Sequence, residues 1–274
     1  MAANFKEEYI QVDGIKTFLA MAGSGPPLIL IHGASPGASS LVNWKLNLEP
    51  LAAAGFTVYA YDQPGFGYTD NPSDHSIEYR VSHAKALIDA LKIERYHVVG
   101  NSVGGYIAAR LALEDSRVKT FVTTTSGSLS PQGSAASQSL AQKHAADLRE
   151  YEPSMANMRK LTFGTIFNKE LVTEELVRER YEMSIGKNYD AQVQRRSAAR
   201  QRPVSDELNQ LPVRALLLWG NQDQGVSVER GVELFQRIPG AEFHLFDKCA
   251  HWVQWDQAER FNWLVSDFLR SADH

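Results

Sequence analysis

The chain has 274 residues, 43% hydrophobic and 22% charged, the composition of an ordinary globular protein with enough apolar material for one large core plus an insertion. Its net charge of -4 lacks the basic excess that nucleic acids or anionic membranes demand, and no run approaches the ~18 consecutive apolar residues of a membrane span. A lone cysteine, Cys249, cannot form an intrachain disulfide, and segment 1–11 has no leader-like apolar stretch, so cytoplasmic residence is expected.

Short β-rich segments near 9–12, 17–22, 28–32 and 57–61 open the chain. The apolar spacing of 41–54 predicts a helix ended by Gly55. A helix over 76–91, a buried strand at 97–100, a helix over 104–114 and a strand at 120–124 continue an alternation that argues for a mostly parallel sheet flanked by helices. The rhythm then changes: 126–139 is rich in Ser, Gly and Ala, and from about 137 to 202 the pattern is that of amphipathic helices without a convincing strand. We expect a helical cap over 128–203, inserted into a core made of 1–127 and 204–274. The insertion holds twelve Lys/Arg and nine Asp/Glu, about +3, against about -7 for the remainder, which suits either a solvated surface or a cap that favours an anionic substrate. Alternation resumes with a strand at 215–219, a helix over 227–237, a strand at 242–246 and a helix over 256–269.

The strongest motif is Gly100-Asn101-Ser102-Val103-Gly104, set between a predicted buried strand and a predicted helix. A sharp strand-to-helix turn puts the serine in a strained backbone, with glycines where side chains would collide. The plain alternative is a glycine-rich turn with a capping serine. A serine hydroxyl needs a base, and the base needs a group that fixes its tautomer. Asp223 follows the strand at 215–219 and His251 follows the strand at 242–246, in the chain order Ser, acid, His. Asp206 and Asp247 are the substitute acids. Of the other histidines, His32 is expected to buttress a turn, His97 and His244 lie in strands, and His75, His83, His144 and His274 are expected on helix surfaces or the terminus. An oxyanion hole requires backbone amides; Val103 follows the nucleophile, and Ala34 lies in the loop after His32. The turn 62–67 after the fourth strand is expected to be structural. No spacing of Cys, His and carboxylates suggests a metal, and no cofactor is expected.

Together, Ile31-His32-Gly33-Ala34-Ser35-Pro36-Gly37-Ala38, Asn43-Trp44, Asp62-Gln63-Pro64-Gly65-Phe66-Gly67, Gly100 to Gly105, Trp219-Gly220 through Asp223, and His251-Trp252 with Gln254-Trp255 resemble the meta-cleavage product hydrolases. These are C–C bond hydrolases of bacterial aromatic degradation, with the α/β-hydrolase fold. The resemblance runs over nearly the whole chain and weakens in the insertion. It implies a 2-hydroxy-6-oxo-hexa-2,4-dienoate substrate cleaved to 2-hydroxypenta-2,4-dienoate and a carboxylic acid, with catalytic Ser102, Asp223 and His251. It further implies a carboxylate clamp at Arg180, in a predicted helix over 174–185, a dienoate pocket completed by Asn43, Asn101 and Trp252, and a homodimer or higher oligomer. Surface pairing of Arg180 with Glu174 or Glu175 is the competing role. Ala34, Ser35 and Ala250 stand where relatives commonly have glycine, and Ser227 where proline is common. A carboxylesterase or lactonase would share the triad but need no cap arginine, and a ligand receptor on the same scaffold would show negligible turnover. Met155, Leu161, Phe163, Ile166 and Phe167 form an apolar stretch suited to the cap's own core or to an aromatic substituent.

Overall fold

Strand β3 (Pro27–Ile31) shows how the interior is divided. Leu28 and Leu30 face one apolar cluster and Ile29 and Ile31 the other, the two-residue period of a strand buried on both faces. The computed structural model describes residues 5–129, 133–198 and 202–272. Its eight-stranded sheet runs β1 (Lys6–Val12), β2 (Ile15–Ala22), β4 (Thr57–Tyr61), β3, β5 (Tyr96–Asn101), β6 (Val118–Thr124), β7 (Arg214–Gly220), β8 (Glu242–Phe246). β2 is antiparallel to β1 and β4, and every other pairing is parallel. This is the α/β-hydrolase fold.

Helices α3 (Ile77–Ala90), α4 (Val103–Glu114) and α9 (Val228–Arg237) cover one face, placing Leu87, Ile107 and Leu234 against Val98 and Leu217. On the other face α1 (Ser40–Trp44), α2 (Leu48–Ala53) and α11 (Ala258–Arg270) bring Trp44, Leu51, Phe261 and Val265 onto Val99 and Leu216. One predicted helix is divided, and the last begins two residues later than expected. The 41–54 segment breaks at 45–47 because Pro50 has no amide to give and its ring would meet the carbonyl four residues back; it fits only in the first turn of the new helix α2. The last helix is preceded by a separate turn, α10 (Val253–Asp256), with Gln257 off helical geometry between them.

Between β6 and β7 the described residues form α5 (Ala135–Arg149), α6 (Met155–Thr165), α7 (Glu174–Glu182) and α8 (Lys187–Arg195), with no strand. Ser134, Ser154 and Thr173 cap the first three by accepting a bond from an amide three residues on, each cap contributing about 1 kcal/mol. Tyr151, Met158, Ile166, Leu176 and Val177 pack with Val42, Trp252 and Trp255 of the sheet-bearing part, so α6 and α7 share a core with it. Met155 and Leu161 border this cluster, whereas Phe163 and Phe167 are exposed. No helix among the described residues is long and apolar enough to cross a membrane.

Candidate active site

The parallel strands end at one edge, and there the candidate residues gather. Ser102 joins β5 to α4 with φ 55° and ψ -121°, a conformation that costs a non-glycine residue on the order of 1–3 kcal/mol. Its neighbours hold it there: the Ser102 amide donates to Thr124 O (3.0 Å), and the Ser102 carbonyl accepts from Gly105 N (2.9 Å) and Ser126 Oγ (2.5 Å). A Cβ on Gly104 would overlap the Ile31 carbonyl oxygen, and one on Gly100 the Gly104 carbonyl oxygen, so the turn closes only with glycine at both places.

His251 and Asp223 meet across the loops after β8 and β7. His251 Nδ1 lies 2.7 Å from Asp223 Oδ2, while Asp223 Oδ1 accepts from the amides of Gly225 (2.7 Å) and Val226 (3.0 Å). The carboxyl is fully buried. Burial pushes its pKa up, but the His251 charge and hydrogen bond and the two amides outweigh it and hold the group below its ordinary value. A carboxylate on Nδ1 leaves Nε2 as the free basic nitrogen. The substitute acids are occupied elsewhere: Asp206 is exposed and pairs with Arg237, and Asp247 accepts from Gln222. Ser102 Oγ has no hydrogen-bond partner among the described residues.

The loop after β3 runs against the elbow, since a Cβ on Gly33 would stand 3.1 Å from Asn101 Oδ1 and 3.4 Å from Ser102 Cβ. The Ala34 and Val103 amides donate to no protein acceptor among the described residues, as an oxyanion hole requires. His32 is buried: Nε2 accepts from the Gln63 amide (3.0 Å), leaving Nδ1–H for the Gly33 carbonyl (2.6 Å). Burial lowers its pKa to about 3, so it is a neutral strut. The turn at 62–67 is likewise braced, with Asp62 accepting from Ser40 N, Ser40 Oγ and Tyr68 N.

Arg180 on α7 is fully buried with Leu176 and Val177. Its Nη1 donates to Thr162 Oγ1 (3.0 Å), its Nη2 to Ser35 Oγ and Pro36 O (3.3 Å each), and its guanidinium stands 4.7 Å from the Trp252 ring centroid. No carboxylate pairs with it among the described residues: Glu174 pairs with Arg159 and Glu175 with Lys45. Burial depresses its pKa to about 10, so the group is charged at neutral pH with Nε unsatisfied. Asn43 Nδ2 donates to Asn101 Oδ1 (3.3 Å), Asn101 Nδ2 to Thr124 Oγ1 (2.8 Å), and Asn43 Oδ1 is buried without a donor.

The α/β hydrolase fold family matches residues 26–258. The chain is 36% identical over 270 residues to a 2-hydroxymuconate semialdehyde hydrolase of Pseudomonas sp. (strain CF600), covering 95% of this chain and 92% of the relative. It is 33% identical over 259 residues to a 2-hydroxy-6-oxo-6-phenylhexa-2,4-dienoate hydrolase of Comamonas testosteroni, covering 91% and 89%. The chain belongs to the meta-cleavage product hydrolases. A solved member from Pseudomonas fluorescens IP01, in complex with acetates, superposes with a TM-score of 0.84 at 34% identity, covering 97% of this chain and 98% of that one.

In this meta-cleavage product hydrolase two serines touch the insertion. Ser35 supplies the hydroxyl that Arg180 binds. Ser227 reaches Ser137 of α5 (Oγ to Oγ 2.7 Å) instead of capping its own helix. Two histidines correct the expectation of helix-surface positions. His83 is buried and bonded to Thr17 Oγ1 (2.9 Å). His144 of α5 packs on Gly225, with its ring centroid 6.2 Å from that of His251. Burial and the His251 charge lower the His144 pKa against the opposing pull of Asp223 and Asp147. In the sequence the contact is marked only by a glycine in the acid loop, a residue that suits any tight turn.

Proposed function

We propose that this hydrolase cleaves the C5–C6 bond of a 2-hydroxy-6-oxo-hexa-2,4-dienoate, giving 2-hydroxypenta-2,4-dienoate and a carboxylic acid. The observation that carries the reading is Arg180: a buried, charged guanidinium without a carboxylate partner, bonded to the loop beside the elbow and set against Trp252. Such a group suits the substrate carboxylate, which it can receive through a planar fork of N–H donors. Asn43 Oδ1 offers an acceptor for the 2-hydroxyl, and Asn101 and Trp252 complete the dienoate pocket.

Carbon is a poor leaving group, so the dienol is first converted to its keto form. His251 Nε2 serves the proton transfers, held in its tautomer by Asp223. Ser102 Oγ then adds to the C6 carbonyl, and the oxyanion takes hydrogen bonds from the Ala34 and Val103 amides. When C5–C6 breaks, its electron pair enters the conjugated system ending at the C2 oxygen, and the resulting dienolate takes the His251 imidazolium proton on that oxygen. Water, deprotonated by His251, hydrolyses the acyl group from Ser102.

Residues 128–203 act, in this reading, as the cap that closes over the dienoate. The enzyme is read as cytoplasmic, needing no metal or cofactor, and as a homodimer or higher oligomer. Support for the oligomer is the open edge of β8, with Leu245 on it and Phe235 on adjacent α9 both exposed.

The test is the bleaching of a coloured 2-hydroxy-6-oxo-6-phenylhexa-2,4-dienoate and of 2-hydroxymuconate semialdehyde by wild type, Ser102→Ala and Arg180→Met, beside a simple aryl ester. Rapid bleaching by wild type, abolished in Ser102→Ala and much reduced in Arg180→Met, is expected. Turnover of the ester with the dienoates left coloured would mean an esterase using the same triad.

A further inference from the structure

A pair of arginines, one buried and one partly buried, lies apart from Arg180. Arg80 of α3 is 6% exposed, and Arg195, in the last turn of α8, is partly buried. Both stand against the Phe66 ring, Arg195 at 3.9 Å and Arg80 at 5.6 Å from its centroid. Arg80 spends Nη1 on Gln63 Oε1 (3.1 Å), and Arg195 spends Nη1 on the Gly65 carbonyl (2.9 Å). Those are their hydrogen bonds among the described residues. The Nε of Arg80 is buried without a partner, as is Nδ1 of neighbouring His75.

No carboxylate answers these charges among the described residues. Asp62, the buried acid of the same loop, takes its donors from Ser40 and Tyr68, and Asp74 accepts from Ser76. Burial, with Arg80 as a second cause, lowers the Arg195 pKa to about 9; burial lowers that of Arg80 to about 10. Both are therefore cations at neutral pH, and they repel each other across one ring with no carboxylate between them among the described residues. Each guanidinium has its Nε–Nη2 edge uncommitted, the edge that takes an oxyanion bidentately.

We propose that Arg80 and Arg195, around Phe66, form a second anion site that takes a small dianionic oxyanion of the phosphate type and bridges α8 to the sheet-bearing part of the molecule. Two cations on one ring match two negative charges. A monocarboxylate neutralises only half and binds more weakly. The inference does not rest on the reaction assigned above.

The experiment is calorimetric titration of the full chain with inorganic phosphate at constant ionic strength, with acetate as the monoanion, using wild type, Arg80→Met, Arg195→Met, Arg195→Lys and Arg180→Met. Expected is one saturable phosphate site per chain in wild type and Arg180→Met. Its affinity falls at least tenfold in Arg80→Met and Arg195→Met and by an intermediate amount in Arg195→Lys, which keeps the charge and loses the fork. Acetate binds the wild type less tightly. Should Arg80→Met not fold, the two Arg195 variants decide the question. In anion-free buffer Arg195→Met melts at or above the wild-type temperature, since the substitution removes an unpaired charge. Absence of saturable binding, equal affinity in all variants, or loss confined to Arg180→Met, meaning that phosphate occupies the reaction site, overturns the proposal.

Discussion

Replacing Arg180 by methionine should separate stability from activity, because the two depend on this side chain with opposite sign. The guanidinium is fully buried, and burial pulls its pKa from the ordinary arginine value down to about 10. At about 1.4 kcal/mol per unit, the folded protein carries an order of 3 kcal/mol of unfavourable charge burial at neutral pH. Methionine removes that cost and fills much of the same volume. It forfeits the bonds to Thr162, Ser35 and Pro36 and the Trp252 contact, together about 2–3 kcal/mol after exchange with water. The net change in unfolding free energy is therefore small, within about 1 kcal/mol.

Activity has no such compensation. A charge-assisted bond to the substrate carboxylate contributes roughly 1.5–3 kcal/mol, so kcat/KM for a dienoate falls roughly 10- to 150-fold. An uncharged aryl ester should lose little. The assay pairs a urea melt with initial bleaching rates on both substrates. A depressed cation also predicts that KM for the dienoate climbs above about pH 10 as Arg180 loses its proton. If Arg180→Met lowers stability by several kcal/mol and slows ester and dienoate alike, Arg180 is a structural tie between α7 and the loop after β3, and the clamp is wrong.

Asp223→Asn should lower kcat by roughly 10⁴ while the chain stays folded, because an amide facing His251 Nδ1 favours the wrong tautomer; pre-steady-state bleaching measures it. Asp223 also has a folded pKa below its unfolded value near 3.8, so its stabilisation is present above that value and is lost as pH falls through the depressed one. An acid melt of wild type should show this loss, and Asp223→Asn should lack it. Gly104→Ala should not yield soluble enzyme, or should melt far below wild type, since its Cβ meets the Ile31 backbone and neither strand nor helix can give way. Gly225→Ala puts a Cβ 2.8 Å from the His144 ring; it should destabilise by about 1–3 kcal/mol and raise KM, and His144→Ala should restore much of both in a double-mutant cycle. Additive effects in that cycle would mean that the cap and the acid loop are not coupled there.

What the sequence revealed follows how locally each feature is determined. The elbow was legible because its signal lies within a few positions of Ser102: two glycines that tolerate no Cβ, and a buried strand carrying Val98 and Val99 that feeds a helix. The acid and the histidine could be located because parallel strands deliver their following loops to one edge, so chain order and strand position sufficed. The break at 45–47 was legible in principle from Pro50, but the apolar spacing on either side continues through it and periodicity prevailed. The insertion was different in kind. Three of its helices carry their own caps, yet which side chains meet the site depends on how the whole group docks, and that is set by contacts between residues far apart in sequence, such as Ser137 to Ser227 and Arg180 to Ser35. His144 looked like any polar residue on an amphipathic helix because its partner is a missing side chain at Gly225, and an absence leaves no periodic trace. The same reason hides the Arg80 and Arg195 pair. Each lies on a helix where an arginine is normally solvated, and only the docking of α8 over Phe66 brings the two charges to one ring without an acid between them.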